Sequence, residues 1–305
     1  MASLAAAMAV GALARSSSTQ RALYAGASSD LEKQYPVDRP VKGRKQACNI
    51  FDERDLPAIA SGSCGFRAGL HRPTIFLLGD SHVAQFAAAM DSYAQQNSYN
   101  VTTIWGNTCL FPAAVVRNRE RDCYNLQQDV EDKVRAEVKS GDVVILGNAL
   151  YAAFSGHWVR AEAFQDGDGG PLSITEASVR YAKSLQRFAD DVVAKGARVV
   201  VLVDGVQFPR LGSGNQRCDE QWFRPWPHED CFVDRSMYLQ QRDAAIGWIL
   251  GWADGVNTFA WDPVDDTTCM TNRCRATHYA DSNHFKAYYA AYLLTQFRNR
   301  FPNAL

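Results

Sequence analysis

"TIFLLGDSHVAQFAAAM", Thr74 to Met90, is the stretch that decides how this chain folds. A short apolar run, Thr74–Asp80, ends in Gly-Asp, and Val83–Gln96 follows with helical spacing. An unbroken apolar run closed by turn residues is the pattern of a strand buried on both faces. The Gly-Asp-Ser-His between them has two readings. Gly, Asp and Ser each suit a tight turn or a helix cap. Alternatively, Ser81 is a nucleophile held at the edge of a sheet and activated by a base from elsewhere in the chain.

Further along, the same alternation repeats. Asn100–Trp105 ("NVTTIW"), Gly141–Asn148 ("GDVVILGN"), "ARVVVLVDG" and "VNTFAWDP" are strand-like. Between and after them, Asn125–Lys139, Ile174–Lys195, Ser236–Ala253 and His284–Phe301 are helical, the second ending at Gly196 as helices commonly end. Five short apolar strands separated by helices predict a three-layer α/β/α fold with a parallel sheet. Right-handed crossovers make the flavodoxin-like strand order 2-1-3-4-5 the expected one. Ligands of such sheets bind beyond the carboxyl ends of the strands, near the switch point beside the first strand. Gly-Asp-Ser-His lies at that end.

A chain of 305 residues with 47% hydrophobic and 21% charged residues suits one large α/β domain or two small ones. Its net charge of −1 gives no basic footprint for nucleic acid. Eight cysteines fall into four local pairs: Cys48 with Cys64, Cys109 with Cys123, Cys218 with Cys231, Cys269 with Cys274. Eight cysteines allow about 105 connectivities, so the local pairing is an expectation from loop position. No pair is a CxxC, and disulfides imply an oxidising compartment: periplasm, secretory lumen or cell exterior. Residues 1–44 divide from residues 45–305. The former hold an apolar stretch, Ala2 to Ala14, and a polar linker, and read either as a signal sequence or as the clipped end of a membrane helix.

A serine needs a base, and the base needs an orienting group. Of six histidines, His284 stands out because "YADSNHF" places Asp281 three residues before it, ahead of the last helix. Asp281 could accept from Nδ1–H and leave Nε2 facing a serine; equally, Asp281 or Ser282 could cap that helix.

Taken together, Gly-Asp-Ser after the first strand, Gly106 after the second, Gly147-Asn148 after the third and Asp-x-x-His before the final helix resemble the SGNH hydrolase superfamily. The resemblance spans roughly Arg72 to Leu305. It is nearest to the SGNH domain fused to bacterial membrane acyltransferases that O-acetylate surface polysaccharides. That group has GDSH at the first block, and its end is similar: a strand closing on "DP", the loop "CMTNRC", then D-x-x-H and a helix.

The resemblance implies Ser81 as nucleophile, His284 as general base and Asp281 as its orienting partner. It also implies an oxyanion hole from the N–H groups of Ser81 and Gly106 and the side-chain amide of Asn148. Leu150 stands where the family usually has an Asp after that Asn. The implied activity is a serine esterase or O-acyltransferase working on small acyl esters of carbohydrate, without metal or nucleotide cofactor. The implied setting is extracytoplasmic, with a glycan substrate and a membrane acyltransferase domain or subunit as partner. The alternative is a non-catalytic carbohydrate-binding or scaffolding module of an envelope assembly.

Asp80 is expected to shape the turn or line the pocket, and His82 to line the pocket or pack at the first helical turn. "QDGDGG", Gln165–Gly170, is expected to be a solvent loop rather than a calcium loop. Trp158, Trp222, Phe223 and Trp226 lie in irregular segments, either stacking on sugars or filling gaps under loops.

Overall fold

The computed structural model describes residues 34, 46–107, 109–117, 121–155, 164–208, 218, 229–266, 269–270, 272–280 and 284–305. Expectations for the N-terminal segment, for Trp158, Trp222, Phe223 and Trp226, and for Asp281 lie outside them.

The central sheet has six parallel strands: β1 (Cys48–Asn49), β2 (Thr74–Gly79), β3 (Asn100–Trp105), β4 (Val143–Gly147), β5 (Arg198–Leu202) and β6 (Thr258–Trp261). They lie in the order β1-β3-β2-β4-β5-β6, every pairing parallel. The five expected strands thus take the expected order, and β1 is an added edge. At two residues it is too short to carry an apolar run, which is why the sequence pattern passed over it. All residues of β2 and β4 are buried, as strands covered on both faces must be.

Helices flank the sheet: α1 (Leu56–Ser61), α2 (Ser81–Ala84), α3 (Ala87–Asn97), α4 (Arg121–Glu137), α5 (Leu150–Phe154), α6 (Ile174–Ala194), α7 (Arg235–Ile246), α8 (Trp248–Trp252) and α9 (Ala287–Arg300). α3 and α9 pack together, and α6 packs on β5. Helix α6 starts with a reciprocal capping box between Ser173 and Glu176 and stops at Gly196, whose φ is +80°. Two expected helices are broken. Gln85 and Phe86 separate α2 from α3, where the Phe86 ring packs edge-on against Trp261. Gly247 separates α7 from α8. The last helix begins at Ala287, so His284 precedes it rather than opening it.

All four local cysteine pairs are bonded: Cys48–Cys64, Cys109–Cys123, Cys218–Cys231 and Cys269–Cys274. Each closes a short loop; one of about 14 residues is worth about 3 kcal/mol of unfolded-state entropy. Two small antiparallel sheets decorate the core. One pairs the strand Phe232–Asp234 with Arg273–Arg275 and that with Cys269–Met270. In the other, Gln165–Gly170 forms a hairpin turn in which Asp166 accepts from the N–H groups of Asp168 and Gly170. The Asn100-Val101-Thr102 sequon lies inside β3. Its asparagine is buried, bonded through Oδ1 to Ala68 and Gly69 N–H and through Nδ2 to Gly69 and Arg72 C=O.

The register fixes the functional rim. Trp105, Gly79, Gly147, Leu202 and Trp261 are in line across five strands. The next residue of each strand is therefore Gly106, Asp80, Asn148, Val203 or Asp262. The carboxyl edge of the sheet gathers most of the singled-out residues in one row.

Candidate active site

Ser81 reaches that rim through a turn only glycine allows. Gly79 has φ +148°, and a Cβ there would lie 2.0 Å from the Gly147 carbonyl oxygen. Asp80 follows in extended conformation and is the N-cap of α2. Its Oδ1 accepts from His82 N–H at 2.8 Å and its Oδ2 from Ala149 N–H at 2.8 Å. Its own N–H donates to Gly147 C=O at 3.1 Å. Asp80 is buried and therefore shapes the turn rather than lining a pocket. The cap reading of Gly-Asp-Ser holds for Asp80, and Ser81 is the half-buried first helical residue at the sheet edge.

His284 arrives from the other end of the chain. Tyr279 and Phe285 form an antiparallel bridge, flanked by Ala280 N–H to His284 C=O at 2.7 Å and Lys286 N–H to His278 C=O at 2.9 Å. Beside this bridge, His284 Nε2 lies 2.8 Å from Ser81 Oγ, across 203 residues of sequence. As acceptor from the serine, Nε2 must be unprotonated and Nδ1 must carry the proton. Asp281, expected to receive that proton's hydrogen bond, is outside the described residues. His278 is elsewhere: it stacks on Tyr289 with ring centres 4.3 Å apart.

The expected oxyanion donors divide. Among the described residues no acceptor is bonded to the N–H of Ser81, the first residue of α2. Gly106 N–H donates to Gly79 C=O at 3.0 Å. The Asn148 amide is buried and fully used: Nδ2 donates to Phe111 C=O at 2.7 Å and Tyr181 Oη at 3.0 Å, and Oδ1 accepts from Phe111 N–H at 2.9 Å. Tyr181 completes this knot by donating to Phe111 C=O at 2.9 Å, and burial pushes its hydroxyl pKa upward. In this conformation the N–H groups of Gly106 and Asn148 hold the loop after β3 to the rim. A Cβ at Gly106 would meet Ile50 Cδ1 at 2.5 Å and Cys109 Sγ at 2.9 Å, which accounts for the glycine by packing.

His82 turns inward. Its ring is buried, with Nδ1 3.7 Å from Asp204 Oδ1 and its centre 5.0 Å from that of His284. Asp204, two residues past β5, accepts from Tyr151 N–H at 2.7 Å at the start of α5. Burial, then the nearby Asp80 charge, holds its carboxyl well above the usual carboxylate range. Motif reading missed Asp204 and also Gln85, one turn after Ser81. "VDG" at the end of a strand, by analogy with "GDS", was the signal for the first; nothing in the local pattern marked the second.

Behind the pair, His82, Gln85, Asn148, Asp204 and Phe285 enclose a cavity of only ≈ 10 Å³, room for about one water. A larger cleft, ≈ 760 Å³, lies between α4 and α6 beside Glu131, Arg135 and Arg187 and contains neither Ser81 nor His284. Chemistry, not cleft size, locates the candidate site.

The family model for the SGNH domain (fused to AT3 domains) matches residues 47–299. Among solved structures, the periplasmic domain of a lipopolysaccharide acetyltransferase from Salmonella ser. Paratyphi A aligns with TM-score 0.56 and 11% identity, over 91% of this chain and 99% of that one. A putative acylhydrolase from Bacteroides fragilis aligns with TM-score 0.44 and 10% identity, over 82% of this chain and 97% of that one. At that identity the Salmonella likeness establishes a common fold. No curated protein sequence matches the chain.

Proposed function

Because this chain belongs to the family of SGNH domains fused to AT3 domains, we propose that it is a serine-dependent O-acyltransferase or esterase acting on small acyl esters of carbohydrate. The observation that carries this reading is the 2.8 Å contact between Ser81 Oγ and His284 Nε2 at the carboxyl rim of the sheet. The serine of such a pair attacks while the imidazole takes its proton. Ser81 Oγ bonds to the acyl carbon, and the carbonyl oxygen becomes an oxyanion facing Ser81 N–H. His284 returns the proton to the departing sugar oxygen, leaving an acyl-serine. An incoming water or sugar hydroxyl then loses its proton to His284 and attacks the acyl carbon; the acyl–Oγ bond breaks, and His284 returns the proton to Ser81 Oγ. Asp281 is assigned the Nδ1–H of His284. A donor besides Ser81 N–H would strengthen the oxyanion site by roughly 3 to 4 kcal/mol of barrier. Gly106 could supply one only after leaving Gly79.

Residues 45–305 act as the catalytic domain in this reading. Its setting is extracytoplasmic, in keeping with four disulfides and with the periplasmic origin of the Salmonella domain. An AT3 membrane acyltransferase domain or subunit is the partner that would supply acyl groups, and an acylated envelope glycan is the substrate class. No helix among the described residues is long and apolar enough to cross a membrane.

The engaged amides of Gly106 and Asn148 favour a second reading, a carbohydrate-binding or scaffolding module without turnover. One experiment separates the two. Acetate release from O-acetylated polysaccharides, and acetyl transfer to deacetylated ones, should occur with the wild type and vanish with Ser81→Ala. Glycan binding that survives Ser81→Ala, with neither release nor transfer by the wild type, would select the module.

A further inference from the structure

Gln85 sits at the crossing of the two segments that carry the reactive pair. Its Nε2 donates to His82 C=O at 2.9 Å, one residue after Ser81. Its Oε1 accepts from Phe285 N–H at 2.6 Å, one residue after His284 and 200 residues from Gln85. The amide orientation is fixed by these partners, since a backbone N–H needs an acceptor and a carbonyl a donor. In an antiparallel pair, alternate N–H groups face away from the partner strand. Ala280 N–H and Lys286 N–H close the hairpin, so Phe285 N–H faces outward, and Gln85 takes it.

The Phe285 ring is seated at the same point. It packs on Phe86 and Tyr279, and a Cβ at Gly205 would fall 2.5 Å from its Cζ. The ring fixes the depth of the hairpin but, being apolar, sets no register along the α2 turn. A hydrogen bond that accepts one backbone N–H and donates to one backbone C=O does set that register.

We propose that Gln85 is a positioning residue of this site: its side-chain amide ties the hairpin bearing His284 to the turn bearing Ser81 and so sets the distance over which the proton is passed. This rests on the catalytic reading above. Gln85 itself touches no reacting atom in that scheme. Losing the tie lets Nε2 drift from Oγ, and a misplacement of about 1 Å costs on the order of 100-fold in rate.

The test is the kinetics of labelling by a fluorophosphonate probe, resolved into the maximal rate and the probe concentration for half-maximal rate. Gln85→Leu and Gln85→Met, which lack donor and acceptor, should lose roughly 30- to 100-fold in maximal rate with an unchanged half-saturation. Gln85→Glu keeps an acceptor for Phe285 N–H and should recover to within about tenfold of the wild type. A purely structural role would instead lower the fraction of labelled protein and leave the rate of the folded remainder intact. Either apolar variant labelling within twofold of wild type would overturn the proposal. So would a loss confined to half-saturation, or Gln85→Glu as slow as Gln85→Leu. Should both apolar variants lack near-ultraviolet circular dichroism, Gln85→Glu decides: a maximal rate below the wild type but within about tenfold of it, at full labelled fraction, upholds the tie, and an undiminished rate or a deficit in labelled fraction alone overturns it. A wild type that does not label at all would sink the catalytic reading and this inference with it. A labelled wild type with unaffected apolar variants would sink this inference alone.

Discussion

Ser81 and His284 meet at 2.8 Å, yet the chain holds them by different means. Ser81 follows β2, a buried strand paired on both sides, and its turn is fixed by Gly79 and by the doubly bonded Asp80. His284 stands on a short hairpin closed by two backbone bonds, which the Phe285 ring on Phe86 and the amide of Gln85 attach to the body. Ser81 is built into the core, and His284 is docked onto it. Changes around Ser81 should therefore cost stability and activity together, whereas changes at His284 should cost activity alone.

The sharpest break is Gly79→Ala. An L-residue is strained at φ +148°, and its Cβ would overlap the Gly147 carbonyl. Urea denaturation should show a loss of more than about 3 kcal/mol, or no folded protein. Next is Asp80→Ala, which leaves two buried N–H groups, those of His82 and Ala149, without their acceptor. The expected cost is about 2 to 3 kcal/mol, and Asp80→Asn, keeping one oxygen, should recover roughly half of it.

The smallest effect is at Asp204, where the comparison can be read through pH. Its folded-state pKa is raised by burial first and by Asp80 second, so the folded protein favours the protonated acid. The stability this contributes is complete below the unfolded value of about 3.9 and is lost as pH rises through the folded value. Asp204→Asn cannot ionise. Denaturation midpoints measured upward from pH 4 should fall less steeply in the variant than in the wild type; parallel curves would refute this assignment.

The same contrast explains what the sequence disclosed. Buried parallel strands are written as continuous apolar runs, so β2 to β6 and their order were legible. Ser81 and His284 were legible through GDSH and D-x-x-H, and the cysteine pairs through their nearness in the chain. Edge strand β1 was not, because two residues carry no period. Nor was the use of Gly106 N–H and the Asn148 amide, since a motif names a residue without saying which partner its donors take. Asp204, marked only by its strand-end "VDG", and Gln85, marked by nothing local, escaped for a related reason. Each matters through a contact with a distant segment, and only the folded chain brings those segments together.

The most direct measurement of the central claim is active-site labelling of the wild type, Ser81→Ala and His284→Ala by a fluorophosphonate, with thermal melting of each. The wild type should label at Ser81. Ser81→Ala should not label, and His284→Ala should label at least about 10³-fold more slowly while losing no more than about 1 kcal/mol of stability. Equal labelling of all three proteins would contradict the account.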